Sequence, residues 1–159
     1  MSVIDSMPSR EFVFGSILLL SNKLQIAGDG IMDGLTMKQW FLLIMMNILK
    51  MENGKETQTV TEVAECTGTS RQNVRKMLDV LARKGFVVLT PSPTDRRALD
   101  VGLTERCYAF FARNERIGDK FLDDLYETVT AGELEMVAGV CRKLFARLDA
   151  MSTNAERLN

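Results

Sequence analysis

Arg71, Gln72, Asn73, Arg75 and Lys76 stand within six consecutive residues behind Ser70, and Arg96 and Arg97 follow Asp95 after a turn bracketed by Pro91 and Pro93. Guanidinium, carboxamide and ammonium groups at such density are hydrogen-bond donors that suit acceptors of fixed geometry. An arginine fork matches the acceptor edge of guanine or two oxygens of a phosphate, a carboxamide matches the edge of adenine, and lysine serves phosphate as a point charge. The chemistry these residues point to is recognition of double-stranded nucleic acid.

Other chemistries are poorly served. The chain has no histidine, which removes the commonest general base, the Ser-His and Cys-His nucleophile pairs, and the commonest metal ligand. Cys66, Cys107 and Cys141 are spaced by 41 and 34 residues, which fits neither a disulfide framework nor a zinc pattern. Neither a Gly-rich phosphate loop nor a nucleophile elbow is present, and no pair of carboxylates stands out as an acid-base couple. We therefore expect no enzyme, no cofactor and no bound metal. The longest apolar run, Trp40 to Met46, spans seven residues, far short of a membrane span. The first residues lack a secretory pattern, and the expected compartment is the cytoplasm.

The 159 residues, 46% hydrophobic, suffice for one compact domain with a real core. Val13, Ile17, Leu20, Leu24 and Ala27 recur at helical spacing over Arg10 to Ala27, with Phe14 and Leu18 as a second stripe. "GDGIMDG" (Gly28 to Gly34) breaks that helix; it lacks the ligand spacing of a calcium loop and reads as a connection. Thr36 and Gln39 form a capping box before the apolar helix "WFLLIMMNILKM", whose methionines read as core filling, although thioethers also repack around irregular ligands. Thr59 and Glu62 open a short helix that stops at Gly68, and a third capped helix follows Ser70 and runs to Lys84, with Gly85 as its stop.

Two short helices joined by a Gly-containing turn, the second beginning with polar and basic side chains, form a helix-turn-helix pattern. "FVVLT" and "ALDVGL" then make a two-stranded hairpin around the turn-rich "PSPTDRR", in the place of a wing. Thr104 caps a long amphipathic helix, and Thr130 and Glu133 box the start of the last one. The expected fold is mainly α with a small β-hairpin wing, in the order α-α-(short β)-α-α-β-β-α-α, as a single domain over residues 1–159. Residues 35–103 form the winged helix-turn-helix, flanked by helices in 10–34 and 104–151 whose surplus apolar stripe implies burial against a second copy.

Charge supports the assignment. From Arg71 to Arg97 seven basic residues stand against Asp79 and Asp95, a net of +5 in a chain of net −1, so the remainder carries −6. Neutralisation of phosphates by such a patch drives binding through counterion release. Arg83 and Lys84, in the last turn of their helix, are read as structural because cations there offset the dipole.

The order of elements and three motifs resemble the MarR (multiple antibiotic resistance regulator) family of winged-helix transcription factors. The motifs are "LTMKQW" (Leu35 to Trp40), "SRQNVRKMLDVLARKGFV" (Ser70 to Val87) and "DRRALDVGLTE" (Asp95 to Glu105). The resemblance implies a homodimer with intertwined terminal helices that grips a pseudo-palindromic operator, usually as a repressor released by a small aromatic or anionic ligand. It places the recognition helix in the major groove and Arg97 in the flanking minor groove, with Asp95 orienting that arginine and Arg96 on phosphate. Cys107 departs from the pattern, which often has glycine there. Two alternatives stay open: a redox-sensing regulator of the same fold, and a winged-helix protein-protein interaction module.

Arg97→Ala is expected to cost about 1–3 kcal/mol of operator binding with the dimer intact, and Asp95→Ala less, measured by gel shift and size-exclusion chromatography.

Overall fold

The computed structural model describes residues 6–31, 34–93 and 98–156. Their elements run α1 (Ser9–Gly28), α2 (Met37–Asn53), β1 (Thr57–Thr59), α3 (Val60–Thr67), α4 (Arg71–Arg83), β2 (Val87–Pro91), β3 (Leu99–Leu103), α5 (Glu105–Tyr126) and α6 (Ala131–Glu156). This is the expected order; α2 extends beyond the apolar run Trp40 to Met51 at both ends, and α6 runs past the expected end at Met151. Two compact units divide the chain inside α5, one ending at Ile117 and one beginning at Gly118.

Local signals set the helix ends. The Thr36 hydroxyl accepts the Gln39 N–H while the Gln39 side chain accepts the Thr36 N–H, and Thr59 and Glu62 repeat the arrangement at α3. Thr130 and Glu133 exchange the same bonds at the start of α6. Gly54 and Gly68 close α2 and α3 in the left-handed region, where a side chain would be strained. The α1–α2 connection behaves as a loop, and Asp29 is a cap within it: its Oδ1 accepts the Met37 N–H at 2.7 Å. Met32 and Asp33 of that loop lie outside the described residues.

The first unit packs around one core. Leu42, Leu43 and Met46 of α2, Val63 of α3, Val74, Leu78 and Leu81 of α4, Val101 of β3, and Cys107 and Phe110 of α5 are all buried in it. The Phe86 and Phe110 rings meet edge to face, 5.2 Å apart. Of the α2 methionines, Met46 is buried, Met37 packs on Gly28 at one end and Met51 faces solvent at the other.

β3 is the centre of a three-stranded antiparallel sheet, order β1-β3-β2, with Val101 opposite both Gln58 and Leu89. The short strand before α3 is thus the third member of the wing sheet. Beyond β2 the pairing continues in the Ser92 N–H, which donates to the Ala98 carbonyl at 3.0 Å. In the second unit, α6 carries Met136, Val137, Val140, Phe145, Leu148 and Met151 exposed to solvent.

The Lys55 ammonium, 2.8 Å from Glu62, holds the Glu62 carboxyl below its ordinary value of 4.5, assisted by the Thr59 N–H. A folded-state value below the unfolded one contributes stability above the ordinary carboxylate range, and that stability is lost as pH falls through the lowered value. Glu62→Gln should therefore lower stability near neutrality and flatten the acid limb, measured by urea denaturation from about pH 3 to 7.

Candidate nucleic-acid interface

The Ser70 hydroxyl accepts the Asn73 N–H at 3.2 Å and thereby starts α4. That cap does not use Gln72. Val74, Leu78 and Leu81 anchor the helix by one stripe, and Ser70, Arg71, Gln72, Asn73, Arg75 and Lys76 are all exposed. At about 3.6 residues per turn, Gln72, Lys76 and Arg83 fall opposite the buried stripe, while Arg71 and Arg75 flank it. The predicted donors of α4 are thus all exposed, with Gln72 and Lys76 projecting directly away from the buried stripe and the others nearer its edges.

Arg75 is held from within the helix: its Nε lies 2.9 Å from Asp79 Oδ1, both side chains being about half exposed. Such a pair is worth only a few tenths of a kcal/mol, so phosphate can displace it. The partnership was legible as an Arg-Asp spacing of four. Lys84 was not legible. Its ammonium leaves its own helix and donates to the Gly34 carbonyl at 2.5 Å and to Gln39 Oε1 at 3.3 Å. The expectation of a structural role is met by a different partner from the helix dipole, one 50 residues away in sequence.

Thr104 caps α5, accepting the Cys107 N–H at 3.3 Å, and its hydroxyl also donates to the Gly85 carbonyl at 2.7 Å. The strands of the wing therefore return to the end of α4. Asp95, Arg96 and Arg97, the predicted groups between those strands, lie outside the described residues.

Among the described residues, no group of three or more His, Cys, Asp or Glu side chains could hold a metal ion, and no helix is long and apolar enough to cross a membrane. The three thiols are free. Burial pushes Cys107 up to about 12, and burial followed by the charge of Glu52 raises Cys66 above its ordinary value. Both shifts work against the thiolate that oxidation requires.

A helix-turn-helix whose second helix is anchored by an apolar stripe and faces solvent with cations and carboxamides, followed by a three-stranded wing, defines a winged-helix protein of the nucleic-acid-binding type. Residues 33–98 match the model of the MarR family. The transcriptional repressor MprA of Escherichia coli (strain K12) is 27% identical over 110 residues, 68% of this chain and 62% of that protein. The chain thus spans about three fifths of the length of that curated relative. Among solved structures, a cysteine-to-serine mutant of MarR from E. coli complexed with operator DNA superposes with a TM-score of 0.71 at 21% identity, covering 83% of this chain and 92% of that one. The organohalide-sensing regulator RdhR in its 2,4-dichlorophenol-bound form gives 0.76 at 12%, covering 92% and 85%. Both share the fold.

Native protein treated with iodoacetamide near about pH 8 should leave Cys107 unmodified, and denaturant should expose it; mass spectrometry of the peptides reads the difference.

Proposed function

We propose that this chain is a sequence-specific DNA-binding transcriptional regulator that works as a homodimer on a pseudo-palindromic operator. The observation that carries the reading is the α4 surface: Arg71, Gln72, Asn73, Arg75 and Lys76 exposed together on a helix held by Val74, Leu78 and Leu81. In the proposed complex Gln72 and Lys76 point deepest into the major groove, Arg71 and Arg75 reach bases or phosphates at its edges, and Ser70 and Asn73 sit at the helix start, where backbone N–H groups favour phosphate. Arg97 enters the minor groove with Asp95 orienting it, and Arg96 meets phosphate.

Exposed apolar surface supports the homodimer. Phe14 and Ile26 on α1 and Phe145 on α6 are 69%, 78% and 66% exposed in the single chain, with Leu18, Leu20, Val137 and Leu148 beside them. Water-facing stripes of this extent call for a partner surface of the same chemistry, and a second copy provides it.

The finer role is a repressor released by a small aromatic or anionic ligand. It rests on the match of residues 33–98 to the MarR family, on the repressor described for the E. coli relative and on the chlorophenol bound to RdhR. Regulation of this kind operates in the cytoplasm, where the operator is. The shifts at Cys66 and Cys107 favour ligand release over oxidation as the switch.

Selection from a random duplex pool, followed by anisotropy titration across salt concentrations, tests the reading. Affinity should fall steeply with salt, and the protein should elute at about twice its 17.9 kDa. Arg96→Ala should weaken all duplexes and reduce the salt slope by about one, whereas Gln72→Ala and Lys76→Ala should each cost about 1–3 kcal/mol and relax the preference at one position. Absence of binding at low salt would leave the protein-protein module as the better account.

A further inference from the structure

The C-terminal turn of α4 is a junction between segments remote in sequence. On one side Lys84 donates to the Gly34 carbonyl and to Gln39 Oε1. Both acceptors belong to the α1–α2 corner, which is itself tightly tied. Gln39 Oε1 also accepts the Thr36 N–H, Asp29 at the end of α1 accepts the Met37 N–H, and Gly34 holds a φ of 74° in the left-handed region. Gly28 packs so closely on Met37 that an added Cβ would collide with that side chain. On the other side Thr104 donates to Gly85, and the Arg106 guanidinium lies 5.3 Å over the Phe86 ring.

Lys84 is half-buried and lies about a quarter turn away from the outward face that Gln72, Lys76 and Arg83 share. Its charge is directed at protein oxygens, and charge-assisted bonds of this kind are about twice as strong as neutral ones. The turn also has no slack. The Gly85 and Phe86 N–H groups are taken by the Ala82 and Leu81 carbonyls at 2.9 Å each, so the lysine stem leaves the helix from a fixed frame.

We propose that Lys84 is a positioning residue: its ammonium sets the orientation in which α4 presents its base-reading side chains, and a shift of the α1–α2 corner reaches the recognition helix through it. The inference rests on the DNA-binding reading above. It separates Lys84 from Arg96, which meets phosphate directly in the proposed complex. Specific binding depends on helix orientation, whereas non-specific binding depends on charge alone.

The test compares full-length Lys84→Met, Lys84→Arg and Arg83→Met with the unmodified chain. Amide hydrogen exchange over Gly34 to Lys38 should quicken severalfold in Lys84→Met, recover in Lys84→Arg and stay unchanged in Arg83→Met. On the selected duplex, Lys84→Met should lose affinity roughly tenfold, with non-specific affinity and the salt slope unchanged. Unaltered exchange in Lys84→Met overturns the proposal, and so does a salt slope lowered by about one, which would make Lys84 a phosphate contact. Lys84→Gln, which retains one donor, carries the same readouts should the methionine variant not fold. A chain that binds no duplex at all removes the DNA reading, while the exchange experiment still decides whether Lys84 holds the corner.

Discussion

A helix that reads a surface outside the molecule has to be held by its opposite side, and the rest of this structure depends on how α4 is held. Val74, Leu78 and Leu81 are fully buried against Leu42, Leu43, Met46, Val63 and Val101, contributed by three other elements. Burying each such side chain contributes about 1.5–3 kcal/mol. The stripe is narrow, so the remainder of the helix circumference is free for polar groups, and Ser70 starts the helix without drawing on Gln72. Because the cap engages the Ser70 hydroxyl with the Asn73 N–H and the anchor engages apolar groups, the long donor side chains of the first two turns remain available to a ligand.

Electrostatics follows from that division. The cations of α4 project into water, where their mutual repulsion is screened, and Asp79 offsets one of them through a pair weak enough to exchange for phosphate. The carboxylates that take charged partners elsewhere do structural work. Glu62 closes a capping box beside Lys55, and Glu56 binds Lys50, whose ammonium also meets the Tyr108 hydroxyl at 3.1 Å. Those two hydrogen bonds raise Lys50 to about 12. At Arg75 the positive charge is thus held by a pair weak enough to release it, and at Lys50 and Lys55 it is engaged where the elements join.

The apolar surplus carries a second implication. Exposed aromatic and aliphatic side chains on α1 and α6 cost solubility in a lone chain, and the core of the first unit is already closed without them. In the proposed dimer these stripes find their partner in the second copy, and two copies of α4 match the two halves of a palindromic site. Cys107 belongs to the same logic of packing: it fills core volume with Phe110 as a small apolar group.

Much of this was legible along the chain, because the signals are local. Capping boxes at Thr36, Thr59 and Thr130 need only residues three apart, the glycine stops need only one position, and the period of Val74, Leu78 and Leu81 needs one helix. Together they determined the order of elements, the helix-turn-helix and the identity of the exposed donors on α4. The contacts between elements were beyond such reading. Lys84 finding Gly34, Thr104 reaching back to Gly85, and β1 joining the wing through β3 pair residues that sequence separates by tens of positions. Hydrogen-bond partners at that range are chosen by how the buried stripes pack and leave no periodic trace. The sequence alone therefore determined which groups face the solvent on α4, and only the tertiary structure decided what holds that helix at its end, since that depends on three-dimensional proximity rather than on spacing along the chain.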